Sequence, residues 1–256
     1  MALLQVNNLT KSFGGNVAVN QVNFHLEPGK ITALIGPNGA GKTTVFNLIS
    51  GVLKPTGGEV FFKGRKITGL KCNQIAAMGL TRTFQNLQLF GNMTVLENVM
   101  VGEHTRSKTG LLGAALRLPG TKQEERLVRQ RAVEHLKVVG LEKRGEEPAE
   151  NLAFGQQRLL EIARALAADP EVLLLDEPAA GLNAGETREL VALLRRLKAA
   201  GKTILLVEHD MDTVMGVADK VVVLDFGAKI AEGTPAEVQA NERVIKAYLG
   251  DDEDGE

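Results

Sequence analysis

The chain has 256 residues, 44% of them hydrophobic, enough for one large α/β domain or two small ones with a sizeable core. Lys and Arg number 30 and Asp and Glu 31, a net charge of -1, so bulk charge gives no reason to expect nucleic acid as the main partner. The single cysteine, Cys72, excludes an internal disulfide and fits a reducing compartment, and His25, His104, His135 and His209 form no metal-ligand spacing with it or with each other. The N-terminus is too polar for a signal peptide, and no run approaches the ~18 apolar residues of a membrane span. A soluble, cytosolic chain is expected, with a membrane partner left open.

Short strand-like runs come first: LLQV, VNFHLE, ITALI and EVFFKG, punctuated at Gly14-Gly15, Pro28-Gly29 and Pro55-Thr56-Gly57-Gly58. ITALI leads straight into Gly36, Pro37, Asn38, Gly39, Ala40, Gly41, Lys42, Thr43 and Thr44, which fit the spacing G-x-x-x-x-G-K-[ST]. Such a loop cradles phosphate because successive backbone N–H groups point into one concavity at the positive end of a helix. Gly36, Gly39 and Gly41 permit turns and close approach that a Cβ obstructs. Lys42 reaches the outer phosphates as a point charge, and Thr43 offers its hydroxyl to Mg2+. The helix-compatible TTVFNLIS that follows supplies the context the loop needs.

From about Thr94 to Ala168 apolar residues recur at three- and four-residue spacing, which predicts helices in TVLENVMVGEH, QEERLVRQRAVEHLKVVG and QQRLLEIARALAA. Between the first two lies the segment 104–123, read as a surface loop with a little amphipathic helix or as a docking surface for a partner. Gly155 opens the third helix, and a helix start beside small residues is itself an anion site, so two such starts are expected, at Lys42 and Gly155. Strands return at VLLLD, TILLVE and KVVVLD, with the helix GETRELVALLRRLKAA between the first two. Buried, non-alternating strands separated by helices predict a parallel sheet covered on both faces. Asp176, where VLLLD emerges, is placed to hold Mg2+; Glu177, expected on the other side of the pleat, is placed to polarise an attacking water as general base. The acidic end DDEDGE, 251–256, reads as a frayed tail.

Taken in order, these motifs resemble the ATP-binding-cassette (ABC) ATPases over nearly the whole chain. GPNGAGKT is similar to the Walker A motif and VLLLDE to Walker B. Leu152, Ala153, Phe154, Gly155 and Gln156 of LAFGQQR resemble the signature LSGGQ, and Gln85 of RTFQN resembles the Q-loop glutamine. Ala180, Gly181, Leu182 and Asn183 occupy the D-loop, His209 of VEHDM matches the switch histidine, and Phe13 of KSFGG matches the aromatic that stacks on adenine. The resemblance implies an α/β fold: a P-loop NTPase cassette with a RecA-like core, an N-terminal antiparallel β subdomain (about 1–30 and 57–70) and an inserted helical subdomain (about 87–165), forming one ABC domain over 1–250. It implies ATP and Mg2+ as ligands, the ion held by Thr43, Gln85 and Asp176, and catalysis by Glu177, His209 and Gln85. It also implies that two cassettes close face to face, each ATP lying between one Walker A and the other signature.

The chain departs from the general motifs at Ala153 (Ser), Phe154 (Gly) and Asn183 (Asp). Losing a hydroxyl bond to a charged phosphate costs roughly 1.5–3 kcal/mol, which weakens the opposite site and leaves the backbone donors in place. RTFQN, NMTVLENVMVG, NLAFGQQRLLEIARAL, DEPAAGLN, LLVEHDM and VIKAYLG together resemble the LivG/BraF-type ATPases of branched-chain amino acid importers, where Ala and Asn are usual at two of those positions. That implies a peripheral subunit on the cytoplasmic face of the membrane. Its partners would be a second cassette of LivF type, two permease subunits and, indirectly, an extracytoplasmic substrate-binding protein, with no nucleic acid. The same cassette type serves urea and short amides, so the cargo stays open. A soluble regulatory ATPase binding nucleic acid or ribosomes is the alternative of a different class. For the importer, NLQLFGN, 86–92, offers a permease groove through Leu87, Leu89 and Phe90, unless these are core residues.

Overall fold

The structure, a computed structural model, describes residues 2–83, 88–103 and 121–249. Gln85, most of the segment 104–123 and the acidic tail lie outside the described residues. The chain forms two compact units, 1–75 with 174–256, and 76–173.

The first unit starts with a long hairpin, β1 (Leu4–Phe13) and β2 (Asn16–Leu26), turning at Gly14 and Gly15. Gly14 has φ 58°, as a tight two-residue hairpin turn requires. Then come β3 (Ile31–Ile35), α1 (Lys42–Ile49), β4 (Gly57–Phe62), β5 (Arg65–Lys66) and α2 (Cys72–Ala77). The second unit holds β6 (Leu80–Arg82), α3 (Val95–Glu103), α4 (Thr121–Val139) and α5 (Phe154–Ala167). The chain returns to the first unit through β7 (Val172–Asp176), α6 (Ala184–Ala199), β8 (Thr203–Val207), α7 (Met211–Val217), β9 (Lys220–Asp225) and β10 (Ala228–Gly233). It ends in α8 (Pro235–Gln239) and α9 (Glu242–Leu249).

The first unit contains two sheets. One is antiparallel, in the order β2-β1-β4-β5, with Leu4 opposite both Leu26 and Phe62. The other runs β10-β9-β3-β8-β7, with β3 parallel to both β8 and β9 and an antiparallel edge at β10. Every residue of β3, β7 and β8 is buried, the pattern of strands covered on both faces. Ala33, Ile35, Val214, Val221, Val223, Val238 and Val244 form one cluster, which draws α7, α8 and α9 onto the sheet.

In the second unit α3, α4 and α5 pack together. A Cβ on Gly102 of α3 would lie 2.1 Å from the carbonyl oxygen of Arg164, so that crossing is as close as only glycine allows. Asn98, fully buried, bonds both the N–H and the carbonyl of Phe90, each at 3.0 Å, and fixes the loop before α3.

Candidate active site

The phosphate loop hangs between β3 and α1. Gly36 has φ 150°, and a Cβ there would sit 2.1 Å from the Leu224 carbonyl oxygen, so the end of β9 holds the loop's first residue against the sheet. Gly41 caps α1 at φ 95°, and its Cβ would strike the Ala18 carbonyl oxygen at 2.5 Å. Gly39, at φ 83°, faces open space. Two of the three glycines are thus demanded by packing and all three by backbone conformation. Lys42 is buried, and its Nζ donates to the carbonyls of Gly36 at 2.6 Å and Pro37 at 2.9 Å. Burial pushes its ammonium pKa down, opposed by the negative charges of Glu177 and Asp176. Those two carboxylates therefore lie within electrostatic range of the loop lysine. Thr43 is exposed at the first turn of α1, and Thr44 is half-buried beside it.

Asp176 ends β7 and is 1% exposed. Glu177 corrects the sequence reading: it does not continue the pleat but leaves the strand in the left-handed region, at φ 47°. Its N–H donates to the Val207 carbonyl at 2.9 Å, so a turn aims the side chain, not strand alternation. Its Oε2 lies 3.9 Å from His209 Nδ1, and the imidazole is more than half exposed. A carboxylate beside an exposed imidazole at the mouth of a phosphate loop can orient and deprotonate a water.

Between Val207 and His209 stands Glu208, fully buried and given no role by the sequence motifs. Its Oε1 accepts the Ala179 N–H at 2.8 Å and its Oε2 the His209 N–H at 3.3 Å. Burial raises its pKa, against the lowering effect of hydrogen bonds from the backbones of Ala179, His209 and Asp210. Asp210 in turn caps α7, accepting the Thr213 N–H at 3.1 Å.

Ala180, Gly181 and Leu182 turn into Asn183, whose Oδ1 accepts the N–H groups of Gly185 at 2.8 Å and Glu186 at 3.0 Å. Glu186 returns a bond to the Asn183 N–H at 3.0 Å, completing a capping box at the start of α6. The spacing Asn183-x-x-Glu186 was the available signal. Phe13 ends β1 half-exposed, with Lys11 Nζ 5.0 Å from its ring centroid.

In the second unit the signature helix begins one residue earlier than expected, at Phe154, with Ala153 as N-cap and no side-chain cap. Leu152 and Gly155 are buried; Phe154 is exposed, with the Arg158 guanidinium 5.5 Å from its ring centroid. Gln156 Oε1 accepts the Ala153 N–H at 3.4 Å and a short bond from Arg144. Phe90 is exposed rather than core, and Asn92, Met93, Glu97, Met100 and Val101 line a surface groove of about 630 Å3.

A glycine-rich strand–loop–helix, a buried aspartate ending a strand of the same sheet, and a facing glutamate–histidine pair define a P-loop nucleotide-hydrolase site. Residues 19–180 match the profile of the ABC transporter family, and 228–254 match that of the branched-chain amino acid ATP-binding cassette transporter. The chain is 49% identical over 250 residues to the "High-affinity branched-chain amino acid transport ATP-binding protein LivG" of Escherichia coli (strain K12), covering 97% of this chain and 98% of that one. A crystal structure of a nucleotide-free ATP-binding cassette from an ABC transporter superposes with a TM-score of 0.85 at 34% identity, over 98% of this chain and 100% of that one. A dimeric post-hydrolysis cassette bound to ADP and Pi superposes with a TM-score of 0.76 at 28% identity, over 91% of this chain and 98% of that one. The chain belongs to the ABC transporter family as an ATP-binding subunit of the LivG type, an ATPase coupled to transport. Among the described residues, no helix is long and apolar enough to cross a membrane.

Proposed function

We propose that this chain energises uptake of branched-chain or related hydrophobic amino acids, hydrolysing Mg-ATP from the cytoplasmic face of the membrane. The observation that carries the chemistry is the convergence of Lys42, Asp176, Glu177 and His209 on one loop mouth, with Glu177 Oε2 3.9 Å from His209 Nδ1. The backbone of Gly39 to Thr43 and the Lys42 ammonium bind the phosphates. Phe13 stacks on the base, an interaction worth about 1–3 kcal/mol in other aromatic–base contacts. Glu177 takes a proton from the attacking water, while His209 positions that water against the γ-phosphate. Thr43 and Asp176 suit Mg2+, which takes one or two protein oxygens and completes its shell with phosphates and water. The ion would neutralise charge developing on the phosphates. Gln85 would sense the ion or the water.

Hydrolysis is completed by a second cassette, a LivF-type chain, whose signature helix closes on the ATP; the dimeric state of the relative bound to ADP and Pi supports the pairing of two cassettes. Two permease subunits would dock at the Met93–Val101 groove and communicate with a binding protein outside. The name of the Escherichia coli relative and the match at 228–254 support the amino-acid cargo over urea or short amides.

Radiolabelled uptake by cells lacking this chain tests the reading. Leucine uptake should fall and return with the wild-type chain but not with Lys42→Ala. Loss of urea or acetamide uptake with leucine uptake intact would move the cargo to the amide branch.

A further inference from the structure

Glu208 is an expensive residue for its place. A carboxylate with 0% exposure at the end of a fully buried strand gives up its hydration; a neutral glutamine would escape that penalty but offer one acceptor oxygen where the carboxylate offers two. What the carboxylate does is span two loops. One oxygen holds the Ala179 N–H at 2.8 Å, two residues beyond Glu177; the other holds the His209 N–H at 3.3 Å. A backbone bond from Glu177 to Val207, 2.9 Å, joins the same two loops one step away. A hydrogen bond accepted by a charged group is shorter and stiffer than a neutral one, and both oxygens are engaged.

We infer that Glu208 is a positioning residue for hydrolysis: its carboxylate clamps the loop that carries Glu177 to the loop that carries His209 and so sets their mutual geometry. The N–H groups Glu208 holds belong to Ala179 and His209, neither of them in the nucleotide loop, so its effect is expected on turnover and not on binding. The inference rests on the reading of Glu177 and His209 as the groups that act on the attacking water.

The test is ATP turnover by the full-length chain within its purified transporter complex, for wild type, Glu208→Gln, Glu208→Asp and Glu177→Gln. Misplacing reacting groups by about 1 Å can cost on the order of a hundredfold, so Glu208→Gln should lower kcat roughly 10- to 100-fold. KM for ATP and the Kd for Mg-ADP should stay within about twofold of wild type, as expected when only transition-state geometry is lost. Glu208→Asp, which keeps the charge on a shorter arm, should fall between the two and guards against a Gln variant that does not fold. Wild-type turnover in both Glu208 variants overturns the inference. So does a loss of turnover matched by equal losses in Mg-ADP affinity and melting temperature, which would mean a structural role only. If Glu177→Gln itself hydrolyses ATP normally, the catalytic reading fails first and takes the inference with it; if Glu177→Gln is dead while the Glu208 variants are normal, the inference alone fails.

Discussion

His209 Nδ1 and Glu177 Oε2 stand 3.9 Å apart on turns that leave neighbouring strands, β8 and β7. At that separation they act through a shared water or phosphate, not by a direct bond. Removing either should therefore stop the same step. Glu177→Gln is expected to lower turnover about 10²–10⁴-fold, the range for loss of a general base. His209→Ala should lower it as well, and the double variant should be little slower than Glu177→Gln alone. Single-turnover ATP hydrolysis on the three variants checks this; multiplicative losses would separate the two residues.

Blocking hydrolysis should also trap a closed pair. Light scattering of Glu177→Gln with Mg-ATP is expected to show a dimer that disappears without nucleotide. A monomer that still binds ATP would mean that closure requires a different cassette, because two copies of this chain place Ala153 at both sites. A dimer indifferent to ATP would argue against the sandwich.

Asn183 departs from the aspartate of the general motif, yet it makes a complete capping box with Glu186. Asn183→Ala should cost about 1 kcal/mol, as cap deletions do. In a chain of this size that corresponds to a fall in melting temperature of about 2–4 °C. Asn183→Asp should be neutral, since both residues cap well. Calorimetry of the two variants distinguishes a capping role from a purely interfacial one.

The loop glycines should not respond alike. Gly36→Ala drives a methyl into the Leu224 carbonyl at 2.1 Å, whereas Gly39→Ala meets nothing within 4 Å. Gly39→Ala should fold, at a backbone cost of roughly 1 kcal/mol for its positive φ. Gly36→Ala should lose soluble yield or Mg-ADP binding outright. Equal behaviour in both would contradict the packing described for β9.

Burial raises the pKa of Glu208, and the sign of its pH effect follows. A carboxyl whose folded pKa exceeds its unfolded value, near 4.3, favours the folded state fully below that unfolded pKa. The contribution is lost as pH rises through the folded pKa. The difference in melting temperature, Glu208→Gln minus wild type, should therefore grow as pH rises from about 4 towards neutrality. Melting curves across that range measure it; a gap that widens in acid would reverse the assignment.

Much of this was legible because it is written in short, local patterns. ITALI before the phosphate loop and VLLLD before Asp176 announce buried strands, and each motif carries its own punctuation. What escaped the sequence depends on contacts between distant segments or on backbone torsion. Glu208 sits among residues of strand type, and nothing near it in sequence reveals that it reaches Ala179. The positive φ of Glu177 has no residue signature, since glutamate rarely adopts it. The helices α8 and α9 went unread because they are short, at 5 and 8 residues, and their apolar positions declare themselves only against the sheet. Phe90, which its chemistry offered either to a docking groove or to the core, lies exposed, with Asn98 bonded to its backbone carbonyl, a contact between positions eight residues apart.

Lys42 donates to the carbonyls of Gly36 and Pro37, two residues of its own loop. A lysine ammonium has three N–H donors, so these two bonds leave one for a ligand oxygen and hold the head of a long, flexible side chain in place. The rotamer freedom that such a chain gives up when it is fixed, about 1.5–2 kcal/mol for lysine, is thus given up on folding and not on meeting a ligand.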